Sequence, residues 1–144
     1  MTAIWQRQLS LEAINARLAR GAAGVFGITV TALLPDAVQA AMPVEARHLQ
    51  PMGALHGGVS VVLAETLGTL GCILALPEDR RAVGLEVNAN HMASVAPGQV
   101  VTALCRPLHL GRTTQVWQTE IRRADGRLAC VSRLTCAVIE GSIT

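Results

Sequence analysis

Residues 57–77 read Gly57-Gly58-Val59-Ser60-Val61-Val62-Leu63-Ala64-Glu65-Thr66-Leu67-Gly68-Thr69-Leu70-Gly71-Cys72-Ile73-Leu74-Ala75-Leu76-Pro77. One charge, Glu65, stands among some twenty apolar, small or hydroxyl residues, and Pro77 supplies the stop. The stretch predicts a helix from about Gly58 to Leu76, because the residue before a proline is turned away from helical backbone. It is apolar on nearly every face, so protein must surround it. A membrane span is the competing reading. A carboxylate at a bilayer centre costs about 3 kcal/mol on insertion scales, and the flanking segments alternate as strands do. A soluble domain with a buried helix explains both.

Working outward, Ser10 begins an N-terminal helix with Leu11, Ile14 and Leu18 at helical spacing and Glu12 in its first turn. Gly21 and Gly24 end it. Two short strands follow near 27–34 and 37–43, joined around Pro35-Asp36, and 47–55 is a loop. Beyond the long helix the chain alternates. Val83, Leu85, Val87 and Ala89 share one face, with Glu86, Asn88 and Asn90 on the other. A strand at 99–108 follows, and Asp125-Gly126 marks a hairpin between strands at 113–123 and 127–139. Four strands in a meander after the helix, with one or two before it, make a curved antiparallel sheet wrapped around one helix. The expected class is α+β.

The 144 residues, 51% hydrophobic and 15% charged, fit one domain, 1–144, and exclude a disordered tail. Two Trp, one Phe and no Tyr leave little with which to stack bases, and a net charge of +2 without a basic block speaks against nucleic acid. A mean hydropathy of +0.40 suggests surface buried between subunits. Cys72, Cys105, Cys130 and Cys136 show no CxxC spacing, and residues 1–20 lack the apolar core of a signal peptide, so free thiols in the cytoplasm are expected.

Glu65 is the most unusual residue. A carboxylate buried without a partner is costly. It is therefore either a structural group satisfied at a subunit interface or a base or nucleophile, and function is the favoured reading. Gly57-Gly58 at the helix start free backbone N–H groups where the helix dipole is positive, which suits a carbonyl oxygen gaining negative charge. His56 adjoins them. Gly57 and Glu65 stand about 12 Å apart along one helix. A donor and a base acting on one carbonyl must each approach it closely, so the two cannot serve the same substrate from one chain. If both act, Glu65 comes from a second copy in a symmetric dimer with two composite sites. Thr69, one turn after Glu65, shares its face. The four histidines, His48, His56, His91 and His109, lack HExxH or HxH spacing, so no metal is expected; no GxSxG elbow is present, and Cys72 is core. The turn His109-Leu110-Gly111-Arg112-Thr113-Thr114 has a glycine, an arginine and hydroxyls able to hold phosphate.

The run Met52-Gly53-Ala54-Leu55-His56-Gly57-Gly58 through Glu65-Thr66 resembles the hotdog-fold acyl-CoA thioesterases, in the branch of the 4-hydroxybenzoyl-CoA and 1,4-dihydroxy-2-naphthoyl-CoA enzymes. Val83-Gly84-Leu85-Glu86-Val87-Asn88-Ala89-Asn90-His91, Pro107-Leu108-His109-Leu110-Gly111 and Gln115-Val116-Trp117-Gln118 are similar to that branch too. The resemblance implies a hotdog fold, a dimer or dimer of dimers, an acyl-CoA substrate and no cofactor. It makes Glu65 the catalytic carboxylate, Gly57 the oxyanion donor, Gln50 and His56 orienting residues, and Thr69 the assisting hydroxyl. Gly84, His91, Met92, Ala93 and Ser94, with the His109–Thr114 turn, fall where relatives bind the acyl group and CoA. An aryl or otherwise bulky acyl group is implied. Two other classes remain open: an acyl-CoA sensor without turnover, and a hydratase or dehydratase of the same fold. Sensors usually add a DNA-binding segment, for which the residues before Gly21 are too few. A hydratase would want a His–carboxylate pair at the acyl β-carbon.

Overall fold

In the computed structural model, which describes residues 2–141, one long helix lies across a six-stranded antiparallel sheet. The elements run α1 (Leu11–Leu18), α2 (Ala22–Val25), β1 (Thr29–Leu34), β2 (Ala37–Pro43), α3 (Gly57–Leu74), β3 (Arg80–His91), β4 (Val100–Leu110), β5 (Thr114–Arg122) and β6 (Leu128–Glu140). The Ser10 hydroxyl caps α1 by accepting from the Ala13 N–H at 3.1 Å. Gly21 does not close that helical region: the chain turns there and makes one further turn, α2.

The sheet order is β1-β2-β4-β5-β6-β3. The expected four-strand meander is thus corrected. Only β4, β5 and β6 meander, while β3 crosses to the far side and pairs with β6. The α3 segment separates β2 from β3 in sequence and carries the chain over the sheet, so β2 finds β4 as its neighbour instead.

The register of β3 against β6 slips between Gly84 and Glu86. This bulge reverses the alternation, so Val83 and Leu85 are exposed while Val87 and Ala89 pack on the core.

α3 is wrapped on one side only. Val59, Leu63, Leu67, Gly71 and Leu74 recur every three or four residues and, with Ala64, are buried against the sheet. Two glycines let the backbone come close. A Cβ at Gly68 would lie 2.8 Å from Leu134 Cδ2, and one at Gly71 would lie 2.6 Å from Trp117 Cζ3. Trp117 cannot yield easily. It is fully buried, stacked on Trp5 with centroids 6.1 Å apart, and its Nε1 donates to Gln115 Oε1 at 2.9 Å. Gly71→Ala therefore sets overpacking of about 1–3 kcal/mol against a helix-propensity gain of about 1 kcal/mol. A lower urea midpoint is expected, and a raised one would contradict this packing.

By length and hydropathy α3 could cross a membrane, but half of it is buried in this fold. The N-terminal segment is fastened over its C-terminal end. Backbone N–H groups of Gln6 and Arg7 donate to the Leu74 carbonyl at 2.8 and 3.1 Å, and the Arg7 guanidinium donates to the carbonyls of Leu76, Pro77 and Arg80. The four cysteines are free and buried. Burial pushes the Cys105 thiol up to about 12, and a hydrogen bond with Cys136, reinforced by burial, raises Cys72. Both are core thiols without nucleophilic character at neutral pH.

Candidate active site

The start of α3 is set by two histidines. His56 is the N-cap, and its Nδ1 accepts from the Gly58 N–H at 2.9 Å. His48 is wholly buried: Nδ1 accepts from the Glu45 N–H at 3.0 Å and Nε2 donates to the Phe26 carbonyl at 2.8 Å. Its own carbonyl takes the His56 N–H at 2.8 Å. His48 thus holds the loop from which α3 springs, a role that nothing in the local sequence signals.

The N–H groups of Val59 and Ser60 both donate to the His56 carbonyl, and His56 Nδ1 takes Gly58. The Gly57 N–H is left without an acceptor among the described residues, as the first turn of a helix requires. A cavity of about 420 Å³ opens beside it, lined by Gln50, Gly57, His91, Met92, Ala93 and Ser94. Sequence reasoning assigned these six to catalytic and binding roles, and β3 and α3 bring them together. Ser60, buried and lining the same cavity, was missed. Gln50 Oε1 accepts from the Met52 N–H, which turns the amide within its loop. A Cβ at Gly57 would lie 2.8 Å from His91 Nε2, so this position has no room for a side chain.

Glu65 lies elsewhere. It was expected to be buried, and in the single chain it is exposed, because Gly68, Gly71 and Ala64 turn the opposite face of α3 to the sheet. It lines a second cavity of about 540 Å³, with Thr69, Thr66, Leu70 and Ile73 from α3 and residues of the N-terminal segment opposite. Gly84 stands next to it: a Cβ there would lie 3.3 Å from Glu65 Oε1. The α3 spacing thus keeps Glu65 and the Gly57 N–H in different cavities of one chain.

The turn after β4 is a third location. Leu110, Gly111 and Arg112 line a cavity of about 340 Å³ with Leu76 and Arg80, distant in sequence from the α3 start. His109 packs its ring over Gly111, and the Gly111 N–H donates to the Thr114 carbonyl at 2.9 Å, so the tight turn leaves no space for a Cβ at Gly111. Arg112 and Thr113 are exposed. Among the described residues, no three His, Cys, Asp or Glu side chains cluster as a metal site would need.

An acceptorless N–H at a helix start can polarise a carbonyl, and an exposed carboxylate can deliver an electron pair or take a proton. Several known proteins are similar to this chain. Residues 52–130 match the thioesterase superfamily. A 1,4-dihydroxy-2-naphthoyl-CoA hydrolase of Escherichia coli is 46% identical over 136 residues, which are 94% of this chain and 99% of that protein. The proofreading thioesterase EntH of Cronobacter turicensis is 44% identical over 136 residues, 94% and 98% of the two chains. Among solved structures, a thioesterase from Haemophilus influenzae superposes with a TM-score of 0.92 at 47% identity, covering 95% of each chain.

Proposed function

The chain belongs to the thioesterase superfamily as a hotdog-fold thioester hydrolase, and from that premise we propose that it cleaves acyl-CoA thioesters to the free acid and CoA, using Glu65 of one copy and the Gly57 N–H of another. The observation that carries this is the pair of groups on α3: an N–H at Gly57 with no acceptor among the described residues, and an exposed carboxylate eight residues later. The thioester oxygen accepts from Gly57 N–H. Glu65 gives its electron pair to the carbonyl carbon, either directly or through a water that it deprotonates. The tetrahedral oxyanion collapses, the C–S bond breaks, and CoA leaves as thiolate. On the direct route, water then cleaves the mixed anhydride and restores Glu65. Gln50 and His56 orient the thioester, and Thr69 assists beside the carboxylate.

A homodimer follows from the same spacing. β3 ends the sheet with twelve residues, one edge unpaired among the described residues and Val83 and Leu85 exposed, a surface that a second copy covers. The family resemblance adds a pairing of two such dimers into a tetramer. The chain forms a single catalytic domain, 1–144, and works in the cytoplasm, where four unpaired thiols are at home. The acyl group is aromatic or otherwise bulky; the Escherichia coli relative, named for a naphthoyl thioester, supports this. His91 to Ser94 and the His109–Thr114 turn contact the acyl-CoA.

Free-thiol release from benzoyl-, 4-hydroxybenzoyl-, hydroxynaphthoyl-, phenylacetyl- and straight-chain acyl-CoAs tests the proposal, with Glu65→Ala as control. Turnover of the bulky esters that the substitution abolishes is the expected result. Tight binding without turnover would make the chain a sensor instead, and hydration of an enoyl-CoA with its thioester intact would make it a hydratase.

A further inference from the structure

Resting on the thioesterase reading, the chamber beside Glu65 identifies a class of acyl group. Its volume of about 540 Å³ lies in the range of small-molecule sites. One wall is α3, and the other is α1 and its flanks, with Leu9, Ile14 and Leu18 facing Leu70 and Ile73. The lining is apolar except for Glu65, two threonines and one cation, Arg17.

The wall that carries Arg17 is fastened at both ends. The Asn15 side chain brackets Val30 with two hydrogen bonds, Nδ2 donating to its carbonyl at 2.9 Å and Oδ1 accepting its N–H at 2.8 Å. Ile14 is buried in the core, and the segment before α1 is held on the carbonyls that follow α3. The Arg17 backbone is therefore set, while its guanidinium has no hydrogen bond or ion pair among the described residues, Glu65 included. An unpaired guanidinium at the rim of an apolar chamber offers a fork of donors to an oxygen acceptor. A carbonyl held at Glu65 sends the rest of its acyl group into this chamber.

We infer that Arg17 is a specificity-determining residue, selecting acyl groups that carry an oxygen acceptor, a carboxylate or a hydroxyl, at the end remote from the thioester. The test compares kcat/KM for 4-carboxybenzoyl-CoA and 4-methylbenzoyl-CoA, which are matched in size, in the wild-type chain, Arg17→Met and Arg17→Lys. Arg17→Met is expected to lower the value for the carboxy ester about tenfold or more, the worth of a charge-assisted hydrogen bond, and to leave the methyl ester within about twofold. Arg17→Lys should restore part of the loss. Equal losses on both esters, or an unchanged ratio, would overturn the assignment. Glu65→Gln separates the two claims, since it must abolish both esters. If the wild-type chain cleaves neither these two esters nor any other acyl-CoA of the panel above, the thioesterase reading fails and the selectivity with it; if it cleaves both and Arg17→Met leaves their ratio untouched, only the selectivity fails.

Discussion

Glu65→Gln should cut kcat for every thioester by about a thousandfold or more, within the range lost when an acid–base group is removed, and leave the fold intact. The amide matches the carboxylate in shape but can neither attack a carbonyl carbon nor deprotonate a water. Stability should hold because Glu65 is exposed on the outer face of α3 and makes no hydrogen bond or ion pair among the described residues. Surface changes of this kind stay within about 0.5 kcal/mol. Thiol release and a urea midpoint, measured on the same preparation, read both halves. An unchanged midpoint with activity within a few-fold of wild type would remove Glu65 from the mechanism. A collapsed midpoint would make it a structural carboxylate, the role that burial alone would have suggested.

The second large effect comes from mixing two inactive variants. Gly57→Ala puts a methyl 2.8 Å from His91 Nε2, at the mouth of the cavity on which the free N–H opens. The substitution keeps the N–H but its methyl bars a carbonyl oxygen from it, and losing an oxyanion contact costs about 10²–10³ in kcat; Glu65→Ala is as damaging. If each site takes Gly57 from one copy and Glu65 from the other, a mixed dimer has one site with both defects and one with neither. Random exchange makes half of the dimers mixed, so the mixture should recover about a quarter of the wild-type rate. Refolding the two variants together and then measuring thiol release performs the experiment. A mixture as inactive as its parts would mean that one chain builds its own site, against the roughly 12 Å that an eight-residue helical spacing imposes.

The parts of this protein legible in its sequence are those set by neighbours along the chain. The long helix is found at Gly57–Leu74 because apolar continuity and the stop near Pro77 are local signals. The Ser10 cap belongs to the same kind of signal, as does the Asp125-Gly126 hairpin, where Asp125 Oδ1 accepts from the Arg127 N–H at 3.1 Å. Of the residues around the Gly57 N–H, Gly57 and His56 are nameable because a helix start with glycines and a histidine has a chemistry of its own, whereas Gln50 and His91 to Ser94 follow only from the family resemblance. Ala64, Gly68 and Gly71 form a strip of small residues that the reading of α3 as apolar on nearly every face passes over, and the structure sets that strip against the sheet with Glu65 outward.

Pairing across the chain was not legible. Nothing local told β3 to pass over β4 and β5 and settle beside β6, and nothing announced the slip at Gly84 that exposes Val83 and Leu85. Nor could the sequence join Arg17 to Glu65, which share a chamber because Asn15 ties α1 to Val30 and Ile14 anchors it in the core. By itself the sequence determined one apolar helix, a wrapping sheet, and a carboxylate and a free N–H too far apart on that helix to act on one carbonyl. The tertiary structure decided which side of the helix faces the sheet, which strand forms the edge, and what lines each cavity. Helix limits and caps depend on a few consecutive residues, whereas burial and strand order depend on which distant surfaces fit together.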